Sequence, residues 1–238
     1  MDHPRIVSRE EWLKARTAHL AEEKAFTRLR DKLSAERREL PWVRVDKTYT
    51  FIVPQGHETL SDLFGGKSQL IIQHFMFHPD WAAGCKSCSF WADGYDRSVA
   101  HLAARDTAFV AVSRAALAKL EAFKKRMGWT FKWVSSEGSD FNRDFGVLFK
   151  PEELKSGADY NYQPRSSFPV EDAPGISVFR KGGPGEVFHT YSCYARGLDM
   201  MNAAYHYLDL TPKGRDEAGL PSTMSWLRLR DEYVPQGS

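Results

Sequence analysis

Two thiols three positions apart, Cys85 and Cys88, enclose Lys86-Ser87, follow a strand-like apolar run from Leu70 to Phe77, and open a helix-like stretch carrying Trp91, Tyr95, Val99 and Leu102. That spacing in that setting suits a redox-active dithiol. A cysteine at a helix start faces unsatisfied backbone N–H groups and the positive end of the helix dipole, which stabilise the thiolate, the attacking form of the residue. Cys85 is therefore the expected nucleophile. Cys88, one turn inside the helix and more buried, suits the resolving thiol, and Lys86 adds positive charge beside the pair. Free cysteines are also common as small core residues, and spacing alone leaves that alternative open.

Other chemistry-bearing residues are placed less firmly. His74, His78, His189 and Cys193 could join two thiolates around a metal, but a structural zinc site usually shows a second ligand pair at regular spacing, and none is present, so no metal is expected. His74 lies within the apolar run and reads as a hydrogen-bonded core residue. His78 and His189 are candidate proton acceptors for Cys85, each with a structural role as the alternative. Cys193 reads as a lone buried thiol, with a second resolving thiol as the other reading. Trp81 and Trp91 flank the dithiol as a candidate apolar collar, Trp81 being the expected substrate-binding ring, although core packing explains both. Asp80, after Pro79, reads as a turn or cap residue. Gly182-Gly183-Pro184-Gly185 lacks the Lys-Ser or Lys-Thr of a phosphate loop, no nucleophilic serine elbow is found, and no organic cofactor is required.

Composition narrows the setting. The chain has 238 residues with 42% hydrophobic side chains, enough for one large domain. Three cysteines cannot build a disulfide scaffold, and the amino-terminal Met1-Asp2-His3-Pro4-Arg5 lacks an apolar signal run, so a reducing cytoplasmic location is expected. No stretch approaches the roughly 20 apolar residues of a membrane span. The 33 basic and 31 acidic residues leave a net charge of +2, too balanced to indicate nucleic acid or an anionic membrane as partner. The 13% of aromatic residues, without a basic stripe, fit a filled core better than base stacking.

The elements that must position the dithiol follow from periodicity. Ser8 to Leu40 reads as an amphipathic helix opened by a Ser8/Glu11 capping box, with Phe26, Leu29, Leu33 and Leu40 on one side. It is expected to pack on the domain or on a second subunit, the route to a homo-oligomer if one forms. Strands are expected at Thr48–Val53, Leu70–Phe77, Ala108–Ser113 and Thr130–Ser135, with helices after Cys85 and at Ala115–Met127. The second strand is apolar almost throughout, as in a strand covered on both faces. Alternating strands and helices make parallel neighbours with ligand sites at the carboxyl ends of strands, where Cys85 lies. Gly138 to Gly175 reads as irregular. Ile176–Arg180 and Val187–Tyr191 form an expected hairpin, followed by a helix over Leu198–Leu208.

This order of elements resembles the thioredoxin-like fold. Ala173-Pro174-Gly175 resembles the proline loop that faces the dithiol in thioredoxins, which implies a cis bond before Pro174 and a substrate-docking role for it. The run from Leu63 to Cys85, with His78-Pro79-Asp80-Trp81, is similar to the approach to the active site in peroxiredoxins. More specifically, the chain resembles a bacterial thioredoxin-like family known only as a domain of unknown function. The resemblance rests on Phe77-His78-Pro79-Asp80-Trp81 with Cys85 and Cys88, Phe188-His189-Thr190-Tyr191-Ser192, Ala195-Arg196-Gly197-Leu198-Asp199, and Leu208-Asp209-Leu210-Thr211-Pro212 with Gly214-Arg215. Two positions depart from the better-known relatives. Ala82 stands where peroxiredoxins carry a Thr or Ser, so a peroxidase is the less expected activity, and Gly84 with Lys86-Ser87 replaces the Trp and Gly-Pro of thioredoxins.

The sequence therefore leads to an α/β, thioredoxin-like central mixed sheet with helices on both faces. Its expected divisions are an N-terminal helical arm (1–44), the domain (45–215) and a C-terminal tail (216–238). The expected activity is thiol-disulfide exchange through Cys85 and Cys88 on a protein or small-molecule thiol or disulfide. The alternative is a non-catalytic module that binds a small molecule or protein partner in the cleft near Cys85 and Pro174.

Overall fold

The computed structural model describes residues 5–233. By internal contacts the chain divides into a unit ending at Pro41 and a unit beginning at Trp42. The first is one helix, α1 (Arg9–Arg38). Its start carries the expected capping box: Ser8 Oγ accepts from the Glu11 amide at 3.2 Å, and the Ser8 amide donates to Glu11 Oε2 at 3.2 Å. Two of the four orphan amides of the helix start are satisfied in this way.

The second unit is built on eight strands: β1 (Val43–Arg44), β2 (Thr50–Val53), β3 (Gly56–Thr59), β4 (Gln69–His74), β5 (Thr107–Ser113), β6 (Lys132–Ser135), and, after a small separate pair β7 (Ala158–Tyr160) and β8 (Gln163–Arg165), β9 (Gly175–Lys181) and β10 (Val187–Tyr194). Across the sheet they run β1-β10-β9-β4-β5-β6-β2-β3. β4, β5 and β6 are parallel, whereas β9 lies antiparallel to β4 and β10 antiparallel to β9. The helices are α2 (Lys86–Tyr95), α3 (Val99–Ala104), α4 (Leu117–Met127), the single turns α5 (Phe141–Asp144) and α6 (Glu153–Ser156), and α7 (Ala203–Leu208). A strand followed by the dithiol helix, a parallel neighbour, then an antiparallel hairpin and closing helix is the thioredoxin-like arrangement.

Alternation along the central strands feeds two cores. Ile71, Phe109, Ala111 and Trp133 face the side covered by α2, α3 and α4, while Leu70, Ile72, Val110, Val112 and Val134 face Phe51, Leu63 and Phe141 on the other. Burial on both faces explains why β4 and β5 read as near-continuous apolar runs. The first core is aromatic: Phe75 lies 4.5 Å from Trp133, Trp133 lies 5.9 Å from both Trp129 and Phe131, and Phe77 meets Phe123 at 5.5 Å, all tilted or edge-on as ring quadrupoles prefer.

Several boundaries differ from the sequence reading. β4 ends at His74, three residues before Phe77, although the Phe75 amide still donates to Val112 O and Phe77 O accepts from the Ala115 amide. β3 is an exposed edge strand with Gly56, His57 and Glu58, residues that carry little strand signal. The expected last helix is a 3₁₀ segment, Ala195–Met201, followed by α7. The segment that the sequence reading separates as a tail carries Leu227 and Leu229 into buried positions, and 234–238 lie outside the described residues. Among the described residues no helix is long and apolar enough to cross a membrane, and no group of three His, Cys, Asp or Glu is gathered to hold a metal ion.

Candidate functional site

The chain leaves β4, loops through residues 75–84 and enters α2 at Cys85, which is the N-cap residue of that helix. The loop is pinned by the Cys85 amide donating to Met76 O at 3.0 Å. Gly84 is required by crowding, since a Cβ there would meet the rings of Phe75 and Phe123 at 2.8 and 2.9 Å. The Cys85 carbonyl begins the helical ladder, accepting from the Ser89 amide and the Ser89 hydroxyl, each at 2.9 Å.

Cys85 is part-buried and Cys88 fully buried, and both are thiols rather than a disulfide. Their titrations are pushed apart. Donation from the Cys88 thiol lowers the Cys85 pKa to about 7, aided by the amides of Cys88 and Ser87 and the Ser87 hydroxyl, against the opposing effect of burial. Burial raises Cys88 well above its ordinary value, and the thiolate it would face on Cys85 raises it further. One sulfur is thus poised to ionise near neutrality while its neighbour keeps its proton.

Cys85 and Cys88 both line a cavity of about 420 Å³ together with Ser87, Met76, Trp91 and Pro174. Pro174 arrives there because His74 and Gly175 are opposite one another in the β4–β9 register, which brings the segment before β9 alongside the loop after β4. Gly175 itself is crowded from the β10 side, where a Cβ would sit 2.7 Å from the Tyr194 ring. The bond before Pro174 is trans, since the described residues hold no cis peptide; the cis bond implied by the thioredoxin resemblance is not present.

The remaining candidates lie elsewhere. Trp81 is not among the residues lining the cavity; it packs against the aromatic core, its ring 6.0 Å from that of His78, with its carbonyl accepting from Lys119 Nζ at 3.2 Å. His78 is also outside the cavity, held between the Asp80 amide at 3.1 Å and Glu171 at 3.4 Å in a group that includes the Arg114–Asp172 ion pair at 2.9 Å. His189 lies on the second core's side, 5.3 Å from the Phe145 ring, and borders a different cavity of about 500 Å³. Its Nε2 meets Ser192 Oγ at 2.7 Å, Ser192 meets Ser177 at 2.8 Å, and Ser177 meets His74 at 2.8 Å, a polar chain that holds His74 in the core. Burial drives the His74 pKa down to about 3 and lowers that of His189. A register shift between His189 and Tyr191 explains the split along β10: His189 pairs with Phe179 toward one core, while Cys193 pairs with Ile176 toward the other.

The same cavity is also lined by residues that the sequence reading did not assign to the site: Arg196 and Asp199 from the 3₁₀ segment, Asn202 and Tyr205 around α7, and Arg215, Glu217, Thr223 and Met224 beyond it. Asn202 ties this part of the lining to α2, accepting from Trp91 Nε1 while its Nδ2 donates to Asp199 at 3.1 Å. Arg215 forms a two-pronged contact with Asp209 at 2.8 and 2.6 Å, and its guanidinium stacks 4.4 Å over Tyr205. Arg196, Asp199 and Arg215 fall inside the motifs that carry the family resemblance, which is the one signal that marked them.

The model of a bacterial protein family of unknown function, DUF899, matches residues 1–233, and the chain belongs to that family. No functionally curated protein matches the chain in sequence. Among solved structures it is similar to the peroxidoxin BcpB of Mycobacterium tuberculosis (12% identity, 69% of this chain and 94% of that one, TM-score 0.45). It is also similar to peroxiredoxin Q of Xanthomonas campestris (14% identity, 71% and 96%, TM-score 0.42) and to PrxQ of Xylella fastidiosa (13%, 67% and 89%, TM-score 0.41). Superpositions this loose leave the fold resting on strand order and on the place of α2.

Proposed function

We propose that this member of the family is a cytoplasmic thiol-disulfide oxidoreductase that cycles between a Cys85/Cys88 dithiol and disulfide. One observation carries the reading: a part-exposed cysteine that caps a helix start and a buried cysteine one turn inside it line one cavity, and the first cause that lowers the Cys85 pKa, to about 7, is the neighbouring Cys88 thiol. In the reducing direction the Cys85 thiolate attacks a substrate disulfide, forming a mixed disulfide and releasing one thiolate, which takes a proton from solvent. Cys88 then loses its proton and attacks the Cys85 sulfur, closing the intramolecular disulfide and releasing the second substrate thiol. The substrate gains two electrons and the protein dithiol loses two, to be restored by an external thiol. His78 and His189 do not line this cavity, so neither is assigned the role of proton acceptor for Cys85.

Peroxide reduction fits less well, because Ala82 offers no hydroxyl to orient a peroxide. The second reading, a binding module without turnover, draws on the same cavity, whose volume is that of a small-molecule site. Trapping separates the two. A Cys88→Ser variant incubated with a small disulfide accumulates a stable mixed disulfide on Cys85, seen as an added mass on that residue, and Cys85→Ser accumulates none. Absence of an adduct in Cys88→Ser, with the variant folded, contradicts the redox reading and leaves the binding module.

A further inference from the structure

Besides the thiols, the cavity lining presents balanced charge: Arg196 and Arg215 against Asp199 and Glu217. The four are not equally engaged. Arg215 is fixed by its double contact with Asp209 and its stacking on Tyr205, which makes it a brace of the wall. Asp199 is shared among Asn202 at 3.1 Å, Arg215 at 3.5 Å and Arg196 at 3.6 Å. Glu217 accepts from the Tyr205 hydroxyl, from the Met224 amide at 2.7 Å and from Trp226 Nε1 at 3.0 Å, all on Oε1, so the carboxylate is rigidly held and Oε2 is the atom left for a ligand. Arg196 is the opposite case: its side chain is 82% exposed and its contact with Asp199 is long, so its guanidinium is available to an incoming anion.

A fixed carboxylate, an available guanidinium and a nucleophilic thiol lining one cavity suit a small molecule that carries both charges and sulfur. The volume of about 420 Å³ lies within the roughly 300–1,000 Å³ typical of small-molecule sites. We propose that the site takes a low-molecular-weight disulfide, or its thiol, whose head bears an ammonium and a carboxylate in the manner of an amino acid. The carboxylate meets Arg196, the ammonium meets Glu217 Oε2, and the sulfur faces Cys85. This assignment rests on the redox reading above and adds to it the substrate class.

The test compares four disulfides with dithiothreitol as electron donor, each rate taken over the Cys85→Ser background: cystine with both charges, cystamine with the ammonium alone, 3,3′-dithiodipropionate with the carboxylate alone, and neutral bis(2-hydroxyethyl) disulfide. Cystine is expected to show the highest kcat/KM, roughly tenfold or more above the neutral compound, the scale of one charge-assisted hydrogen bond. Glu217→Gln is expected to cut the ratio of cystine to neutral disulfide by about tenfold and to erase the preference for cystamine, whereas Arg196→Ala erases the preference for the dicarboxylate. Ratios within one variant cancel any loss of folded protein. Rates for the four compounds within about threefold of one another, or ratios unaltered by both substitutions, overturn the substrate class while the redox reading stands. Failure to turn over any of the four, with the protein folded, overturns the substrate class, and the Cys88→Ser trapping described above then decides the redox reading separately.

Discussion

The lowered pKa of Cys85 is attributed first to the Cys88 thiol, and removing that donor makes the attribution measurable. With a pKa moved from 9.0 to about 7, roughly half of Cys85 is thiolate at pH 7, against about 1% for an unshifted thiol, a gain near 50-fold. The gain is not fully realised, because intrinsic nucleophilicity falls with pKa at a Brønsted slope of about 0.4–0.5, which over two units removes about six- to tenfold. The net advantage at pH 7 is therefore about five- to eightfold. Cys88→Ala keeps the backbone amides of residues 87 and 88 and the Ser87 hydroxyl but loses the thiol donor. The midpoint for iodoacetamide alkylation of Cys85, followed by peptide mass spectrometry, should rise from near 7 toward 9. At pH 7 the variant should react more slowly, by up to about five- to eightfold, and at pH 10 faster, by up to about six- to tenfold, so the two profiles cross. Superimposable profiles would refute the role of the Cys88 thiol, and a midpoint near 9 in the unmodified protein would refute the poised thiolate altogether.

Gly84→Ala should destabilise the fold by about 1–3 kcal/mol in urea titrations, since its Cβ would overlap the Phe75 and Phe123 rings that frame the Cys85 loop. An unchanged midpoint would mean that the aromatic core yields there without cost. His74 is held neutral with a folded pKa of about 3, below its ordinary 6.5, so the unfolded chain binds the extra proton first as pH falls. Stability from this residue is complete above about pH 6.5 and is lost as pH drops toward 3, with a slope of up to about 1.4 kcal/mol per pH unit. His74→Gln should flatten that part of the pH–stability curve, and an equally steep curve in the variant would argue against a neutral buried imidazole.

What was legible in the sequence was whatever is written locally. The Cys85/Cys88 pair, the both-faces burial of Leu70–His74 and the Ser8/Glu11 cap each depend on residues within a few positions, where spacing fixes geometry. The two histidines were not placed by that logic. His78 is adjacent to the dithiol in sequence, yet the loop turns it toward Glu171, and a single β-bulge sends His189 and Cys193 to opposite sides of the sheet. The wall formed by Arg196, Asp199, Arg215 and Glu217 was illegible for another reason. It is assembled from a 3₁₀ segment and an irregular stretch on either side of a short helix, none of which has a periodicity that marks a face, and the sequence boundary at 215 cut through it.

The most direct test of the account is an equilibrium titration of the protein in defined thiol/disulfide buffers, with mass spectrometry assigning the cysteine pairing at each potential. The account predicts one reversible two-electron transition that links Cys85 to Cys88 and leaves Cys193 reduced. A pairing that excludes Cys85, or no reversible transition across the roughly −270 to −120 mV spanned by dithiol oxidoreductases, would contradict it.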